Sequence, residues 1–282
     1  MSINQRASPI VAIFTACFRG RYLIDCVNSV LNQTSKNWEW HIFIANPSRR
    51  AAKKIESILA KYKGIRAIYV HKQKSRRVDI AFKKMLCLTH SSYVVKLDDD
   101  DLLMPDAIKE VSRHASINPN APLIRAGTAN FNDSNLSQIQ RMASESSFYP
   151  PINDSILFNF NQSMGGLFAA NARFLRRIEP IKVYQKFDWI GGDIDLMLKL
   201  EEFGKPEWIP KYLYLYRRHS LSWVDRATRE IGIHKIVEFY LRSAIRRRGL
   251  KLSATVSPLD PALRHFDIRL KSIDTKPHRG KY

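Results

Sequence analysis

Between residues 10 and 97, apolar positions follow two alternating periods. Residues 10–15 form a short unbroken apolar run, the pattern of a strand buried on both faces. Leu23, Cys26, Val27, Val30 and Leu31 then recur at three- and four-residue spacing, which predicts a helix. Residues 38–45 predict a second strand. Ile55, Ile58, Leu59 and Tyr62 mark a second helix, which Gly64 ends. A third strand over 65–70, a third helix carrying Val78, Phe82, Met85 and Leu86, and a fourth strand over 93–97 complete the series. Strands and helices alternating through short links predict an α/β fold with a mostly parallel central sheet flanked by helices.

The pattern continues less regularly. Pro105 and Asp106 open another helix with Ile108, Val111 and Ala115 on one face, and residues 123–126 read as a strand. From 130 to 161 Ser, Asn and Gln dominate around Pro150 and Pro151, which predicts a long, partly irregular excursion of the kind that forms binding loops. Order returns at 165–170, in a helix over 193–203 with Ile194, Met197 and Leu198 on one face, and in a strand over 208–216. Ile233, Ile236, Val237, Tyr240, Leu241, Ala244 and Ile245 form a helical apolar stripe, with Arg242, Arg246, Arg247 and Arg248 on its flank and end. Residues from about 274 read as a frayed basic tail. The expected organisation is one domain over 1–228, followed over 229–282 by a basic amphipathic helix and tail.

Candidate chemistry concentrates behind the fourth strand. Asp98, Asp99, Asp100 and Asp101 are consecutive and are framed by apolar residues on both sides. Four adjacent carboxylates repel one another and call for a counter-charge. Carboxylate oxygens suit Mg²⁺ or Mn²⁺, which bind through one or two carboxylates together with substrate phosphates. Parallel sheets bind ligands beyond the carboxyl ends of their strands, which is where these aspartates stand. The competing reading is a solvated loop. Asp193 and Asp195 form a second acidic pair behind Gly191 and Gly192, whose lack of a side chain lets backbone approach a ligand. Asp193 also stands where a helix begins, the position of a cap. His219 follows a strand and two arginines. An imidazole there can complete an oxygen-rich metal site, although a lone histidine in such a place is commonly a surface residue.

The order of these segments resembles family 2 glycosyltransferases of the GT-A fold. Residues 8–15, 19–23 and 29–34 look like that family's opening strand and first helix. Residues 95–105 are similar to its acidic motif with a downstream proline. Residues 192–200 resemble the segment that bears the catalytic base, and residues 214–222 look like the closing strand. The resemblance covers residues 8–224 and implies a metal-dependent, inverting transfer of a sugar from a nucleotide diphosphate donor, UDP-linked by default, to a hydroxyl of a glycan or lipid-linked glycan. It implies roles by position. Asp193 is the general base; Asp98 and Asp99 meet the donor, as does Thr15 at the end of the first strand; Asp100, Asp101 and His219 hold Mn²⁺ or Mg²⁺. Asn46 and Arg77 are further donor contacts, and Lys74, Arg76, Arg217 and Arg218 are further cations for the diphosphate. In one place the chain departs from the pattern. The Asp-rich turn expected after the second strand is here Ala45-Asn46-Pro47-Ser48, which has no acidic group and leaves the nucleobase open. Phe148, Tyr149, Trp189 and the 165–168 segment are candidate acceptor contacts.

Composition narrows the alternatives. In 282 residues, 45% hydrophobic and 11% aromatic, there is ample material for a core, which excludes a disordered chain. Cys17, Cys26 and Cys87 are odd in number and beside apolar runs, so they read as enclosed thiols of a reducing compartment rather than a disulfide framework. The polar start of the chain does not resemble a secretion signal, and no apolar stretch reaches the ~20 residues that span a bilayer. Together these point to a cytoplasmic protein. A net charge of +20 attracts anions of every kind. With the arginines of the 233–248 stripe, it suggests a peripheral enzyme at an anionic membrane surface. Two other classes fit parts of the pattern. A nucleic-acid-binding protein fits the charge but lacks any recognition motif. A nucleotidyltransferase fits the acidic cluster but lacks a glycine-rich phosphate loop.

Overall fold

A computed structural model describes residues 10–62, 64–65, 67–147, 155, 157, 167–178, 192–220, 222, 232–260 and 265–272. Its centre is β1 (Val11–Cys17), which lies between β2 (Trp38–Ala45) and β4 (Tyr93–Lys96) and runs parallel to both. All seven residues of β1 are buried. The strand alternates between two cores, as a period of two requires. Val11, Ile13 and Cys17 face one core, with helices α1 (Leu23–Leu31), α2 (Arg49–Ala60) and α4 (Ala107–Ile117). Ala12, Phe14 and Ala16 face the other, which includes α3 (Val78–Leu88). β3 (Ile68–Gln73) pairs parallel with β2 and forms one margin of the sheet.

On the other side of β4 the directions change. β7 (Phe168–Asn171) is antiparallel to β4 and to β6 (Leu123–Phe131), while β6 runs parallel to β8 (Glu207–Arg217). The last strand, β5 (Leu102–Leu103), is antiparallel to β8. The order among the described residues is therefore β3-β2-β1-β4-β7-β6-β8-β5, mostly parallel as the sequence predicts. β5 directly follows the four aspartates, yet it lies at the far end of this order. The sheet curls enough to bring it back over α1, where Ser29 Oγ accepts from Leu103 N at 3.2 Å and Gln33 Nε2 donates to Met104 O at 2.8 Å.

Two expectations need correction. The excursion over 130–161 contains a helix, α5 (Leu136–Glu145). Leu136, Ile139 and Ala143 lie on one of its faces against the core, a spacing that the surrounding Ser and Gln obscure. The end of the chain is not only helix and tail. β9 (Leu252–Asp260) and β10 (His265–Ser272) form a hairpin, in which Ala254 and Val256 are buried between exposed polar neighbours. The short helix α6 (Ala172–Leu175) follows β7, with Asn171 Oδ1 accepting from Arg173 N at 3.0 Å.

The C-terminal helix α8 (Ile233–Arg247) shares the second core with Phe14 and Phe43 of the sheet and with α7 (Gly192–Leu200). Of the arginines on its flank and at its end, Arg247 and Arg248 turn inward, while Arg242 and Arg246 stay exposed. Arg247 reaches Asp195 at 3.3 Å and Glu202 at 3.0 Å, and Arg248 reaches Glu201 at 2.9 Å. Asp195 is fully buried and is also paired with buried Lys199 at 2.7 Å. A buried ion pair adds little against an apolar substitute, but deleting one partner strands the other without compensation. Asp195→Ala is therefore expected to lower stability by about 3–5 kcal/mol, read from urea unfolding. A loss below about 1 kcal/mol would mean that Lys199 and Arg247 find water or other partners.

Candidate functional site

The four aspartates occupy the turn that leaves β4 for β5, closed by a hydrogen bond from Asp101 N to Asp98 O at 3.2 Å. The turn resolves their mutual repulsion by giving each carboxylate a partner of a different kind. Asp98 receives Lys96 Nζ on both oxygens, at 2.7 and 2.6 Å. Asp99 Oδ2 accepts from Cys17 Sγ at 3.0 Å and from Phe18 N at 3.3 Å. Asp100 Oδ2 meets His219 Nε2 at 2.9 Å. Asp101 accepts from Tyr214 Oη at 2.7 Å and from Arg217 N at 2.8 Å.

The electrostatics follow from this packing. Burial, then the charge of Asp100, pushes Asp99 up to about 6. Burial, then Asp100 and Asp98, raises Asp101 well above the carboxylate range, against its hydrogen bonds from Arg217 and Tyr214. Asp98 is raised by burial despite Lys96, with Asp100 and Asp193 adding to the rise. Burial also holds the Cys17 thiol well above its ordinary value, so it stays a neutral donor to Asp99.

Arg217 ties the turn to the rest of the fold. Its side chain is buried, and Nε donates to Asp100 O at 2.9 Å. Its other nitrogens pair with Asp25 of α1 at 2.7 Å and with Asp133. The guanidinium plane lies over the rings of Tyr22, at 4.2 Å, and Phe131, at 4.6 Å. Arginine suits this place because one planar group makes forked hydrogen bonds and stacks at the same time. Beside it a small cleft opens, lined by Phe18, Arg19, Arg21, Tyr22, Asp99, Asp100 and His219. Its volume, about 40 Å³, holds an ion and a water rather than a whole nucleotide.

The sequence-predicted residues fall into three groups. Asp99, Asp100 and His219 line the cleft, and Asp98 adjoins them. Asp193 begins α7, half-buried, with Oδ1 accepting from Ile194 N at 3.0 Å. It lies near enough to contribute to the shifts of Lys96, Asp98 and buried Arg125. Asn46 stands outside the cleft at the end of β2. It is exposed, with φ at +42°, its N–H donates to Gln73 O at 2.9 Å, and its carbonyl accepts from Arg76 Nε at 3.3 Å. Ser48, beside it, caps α2 by accepting from Ala51 N at 3.3 Å.

The remainder are turned to other work. Thr15 is not among the residues that line the cleft. It is fully buried on the face of β1 shared with Ile13, and its hydroxyl accepts from Trp40 Nε1 at 3.0 Å. β1 runs two residues past the expected end, so Phe18 reaches the cleft instead. Asp101 is also enclosed, 1% exposed, and acts as an anchor of the turn rather than an open ligand. Arg77 directs its guanidinium fork onto Asp79, at 2.9 and 2.6 Å. Arg217 is a clamp, not a cation facing a ligand. Cys87 is exposed, unlike the enclosed Cys17 and Cys26. Phe148, Tyr149, Trp189, Gly165, Gly166 and Gly191 lie outside the described residues.

Sequence reasoning passed over Lys96, Tyr214 and Cys17. The two-residue step from Lys96 to Asp98 along one strand face was a usable signal for the first. The other two meet the turn only through the tertiary fold. Among the described residues no group of three His, Cys, Asp or Glu side chains is arranged to hold a metal ion. The donor set present is one carboxylate and one imidazole, Asp100 and His219, at a cleft the size of an ion. That set fits a divalent cation whose remaining ligands come from phosphate oxygens.

Comparison with known proteins gives the family and the architecture. Residues 11–179 match the description "Glycosyl transferase family 2". An uncharacterised glycosyltransferase of Methanocaldococcus jannaschii is 24% identical over 126 residues, 43% of this chain and 42% of that protein. The chondroitin synthase of Escherichia coli is 28% identical over 109 residues, 38% of this chain and 16% of the synthase. The matches thus span less than half of each of these relatives. Among solved structures, residues 1–349 of S. aureus TarS in complex with UDP-GlcNAc superpose with a TM-score of 0.61 at 13% identity, covering 89% of this chain and 68% of that one. The mannosyltransferase PcManGT from Pyrobaculum calidifontis, in complex with GDP-Man and Mn²⁺, gives 0.61 at 13%, covering 85% and 65%. At such identity they establish a shared architecture, the curled, mostly parallel GT-A sheet. With more than half of its length matched, the chain belongs to glycosyl transferase family 2.

Proposed function

We propose that this protein transfers a sugar from a nucleotide diphosphate donor to a hydroxyl group, with inversion at the anomeric carbon. The carrying observation is the pairing of Asp100 with His219 at the mouth of an ion-sized cleft, at the carboxyl end of a parallel sheet. TarS with UDP-GlcNAc and PcManGT with GDP-Man and Mn²⁺ share the fold, which supports a nucleotide-sugar donor. Asp100 and His219 would hold a divalent cation, which would supply positive charge to stabilise the leaving diphosphate.

The chain's own groups do the rest. Asp98, held by Lys96, and Asp99, held by Cys17 and Phe18 N, present carboxylates toward the donor. Arg19 and Arg21 line the cleft and are the cations assigned to the diphosphate. This role passes to them because Arg77 and Arg217 are committed elsewhere. Asn46 faces the nucleobase side with an amide where the family carries an acid. Asp193 takes the proton of the acceptor hydroxyl as its oxygen attacks the anomeric carbon. The bond from that carbon to the phosphate oxygen breaks, and the nucleoside diphosphate leaves with the electron pair. One displacement of this kind requires no covalent intermediate. The acceptor is a glycan or a lipid-linked glycan.

Incubation with a panel of nucleotide sugars and Mn²⁺ or Mg²⁺ tests the reading through released nucleoside diphosphate. One donor is expected to be hydrolysed in a metal-dependent way, and Asp100→Ala to abolish that release. No donor binding by the folded protein across the panel would overturn the assignment. Asp193→Asn is expected to lower kcat for transfer by about 10²–10⁴-fold, the usual contribution of a general base, with donor affinity unchanged. A variant that instead loses donor affinity at full kcat would move Asp193 from the base to the donor site.

A further inference from the structure

The net charge of +20 is unevenly placed. Residues 49–84 hold thirteen lysines and arginines against Glu56 and Asp79, more than half of the excess. This stretch builds the β3 margin of the sheet, with α2 on one side and α3 on the other. α2 buries Ile55, Ile58 and Leu59, while Arg50, Lys53, Lys54 and Lys61 are exposed. At 100° per residue those four project from the side opposite the buried stripe. Lys74 and Arg76 add exposed charge in the link from β3 to α3.

The margin is not merely cationic. Among the described residues β3 has a neighbour on one side only, and its Tyr69 and Val70 are each 46% exposed. Ile65, in the turn before it, is 40% exposed. Large apolar side chains set among cations are costly in water but suit a bilayer interface, where they enter the headgroup region as the cations meet anionic lipid. A phosphate backbone would be served by the cations alone. The C-terminal helix is a poorer candidate, because Arg247 and Arg248 are spent on Asp195, Glu201 and Glu202.

We propose that the β3 margin, with the outer face of α2, is the surface by which this protein docks on an anionic membrane. β3 lies three strands from β4 in the sheet order, roughly 14 Å at the usual strand spacing. The cleft at the carboxyl end of β4 then opens beside the headgroups, within reach of an acceptor carried on lipid. The docking surface stands independently of the transfer reading, since neither donor nor acceptor takes part in it.

The test is co-sedimentation of the full chain with vesicles of phosphatidylcholine alone, or mixed with phosphatidylglycerol, at low and high salt. Binding is expected only to the mixed vesicles, weakening with salt. The triple reversal Lys53→Glu/Lys54→Glu/Lys61→Glu is expected to weaken it by at least about 100-fold, since each cation near such a surface contributes roughly fivefold. A matched reversal of exposed residues elsewhere, Arg246→Glu/Lys251→Glu/Lys271→Glu, is expected to change it by much less. Ile65→Ser/Val70→Ser, which keeps every charge, is expected to weaken vesicle binding while leaving the salt dependence intact. Failure to bind mixed vesicles, or equal loss in both triple variants, would overturn the proposal. So would tight binding to a DNA duplex with no effect of the apolar pair on vesicles, which would make the margin a polyanion surface. No sugar donor is present, so a failed transfer assay leaves this result untouched.

Discussion

Holding four carboxylates in one turn is the constraint around which this fold is arranged. Their repulsion is not relieved by spreading them into water. It is relieved by four kinds of partner: an ammonium two residues away, a thiol from β1, an imidazole beyond β8, and a phenol with a backbone amide from β8. Each partner pulls on one element, so the turn works as the joint between β1, β4, β8 and α1. Arg217 completes the joint by grasping a carbonyl of the turn and a carboxylate of α1 with the same planar group. The curl of the sheet follows from the same requirement. β5 begins immediately after the last aspartate and must reach β8, and it does so only if the far half of the sheet folds back toward α1.

Much of this was legible in residue spacing. The alternation of periods through residue 97 marks the parallel half of the sheet, because β1, β2 and β4 are buried on both faces and read as largely apolar runs. The acidic cluster stood out because apolar residues frame it. The division of labour among the four aspartates was not legible. Adjacent residues look equivalent in a sequence, and only the turn geometry separates enclosed Asp101 from Asp100 at the cleft. Thr15 was misjudged for a related reason. Its place near a strand end is visible, but the face on which it lies depends on a strand end that extends to Cys17. Ser48, which reads as a remnant of a lost acidic turn, is accounted for by the local need to cap α2.

The second half of the chain shows how far polar composition can mislead. α5 hides within a Ser- and Gln-rich stretch because its apolar stripe is thin. The β9–β10 hairpin alternates Leu252, Ala254 and Val256 with Ser253, Thr255 and Ser257, a period of two with small polar partners that resembles a tail. The arginines closing α8 look in sequence like a face for lipid. The carboxylates that claim them lie some 45 to 52 positions earlier, on α7 and the turn that follows it. The chain's excess of cations therefore belongs, as a surface, to the opposite part of the molecule.

The span of the contacts made by Arg217 has a consequence for synthesis. Its partners Asp25 and Asp101 precede it by 192 and 116 residues. While the chain emerges from the ribosome, β1, β2, β3 and β4 are complete long before β8 exists. Throughout that interval the acidic turn has its lysine and thiol but lacks the arginine, the phenol and the imidazole. Contacts of such long sequence separation close late, after the loop-closure entropy has been met. By that rule the parallel half of the domain can form first as a scaffold with an open end, and the site becomes whole only when β8 arrives. A nascent chain halted between β4 and β8 is left with Asp100 and Asp101 still lacking the partners that β8 and the residues after it bring.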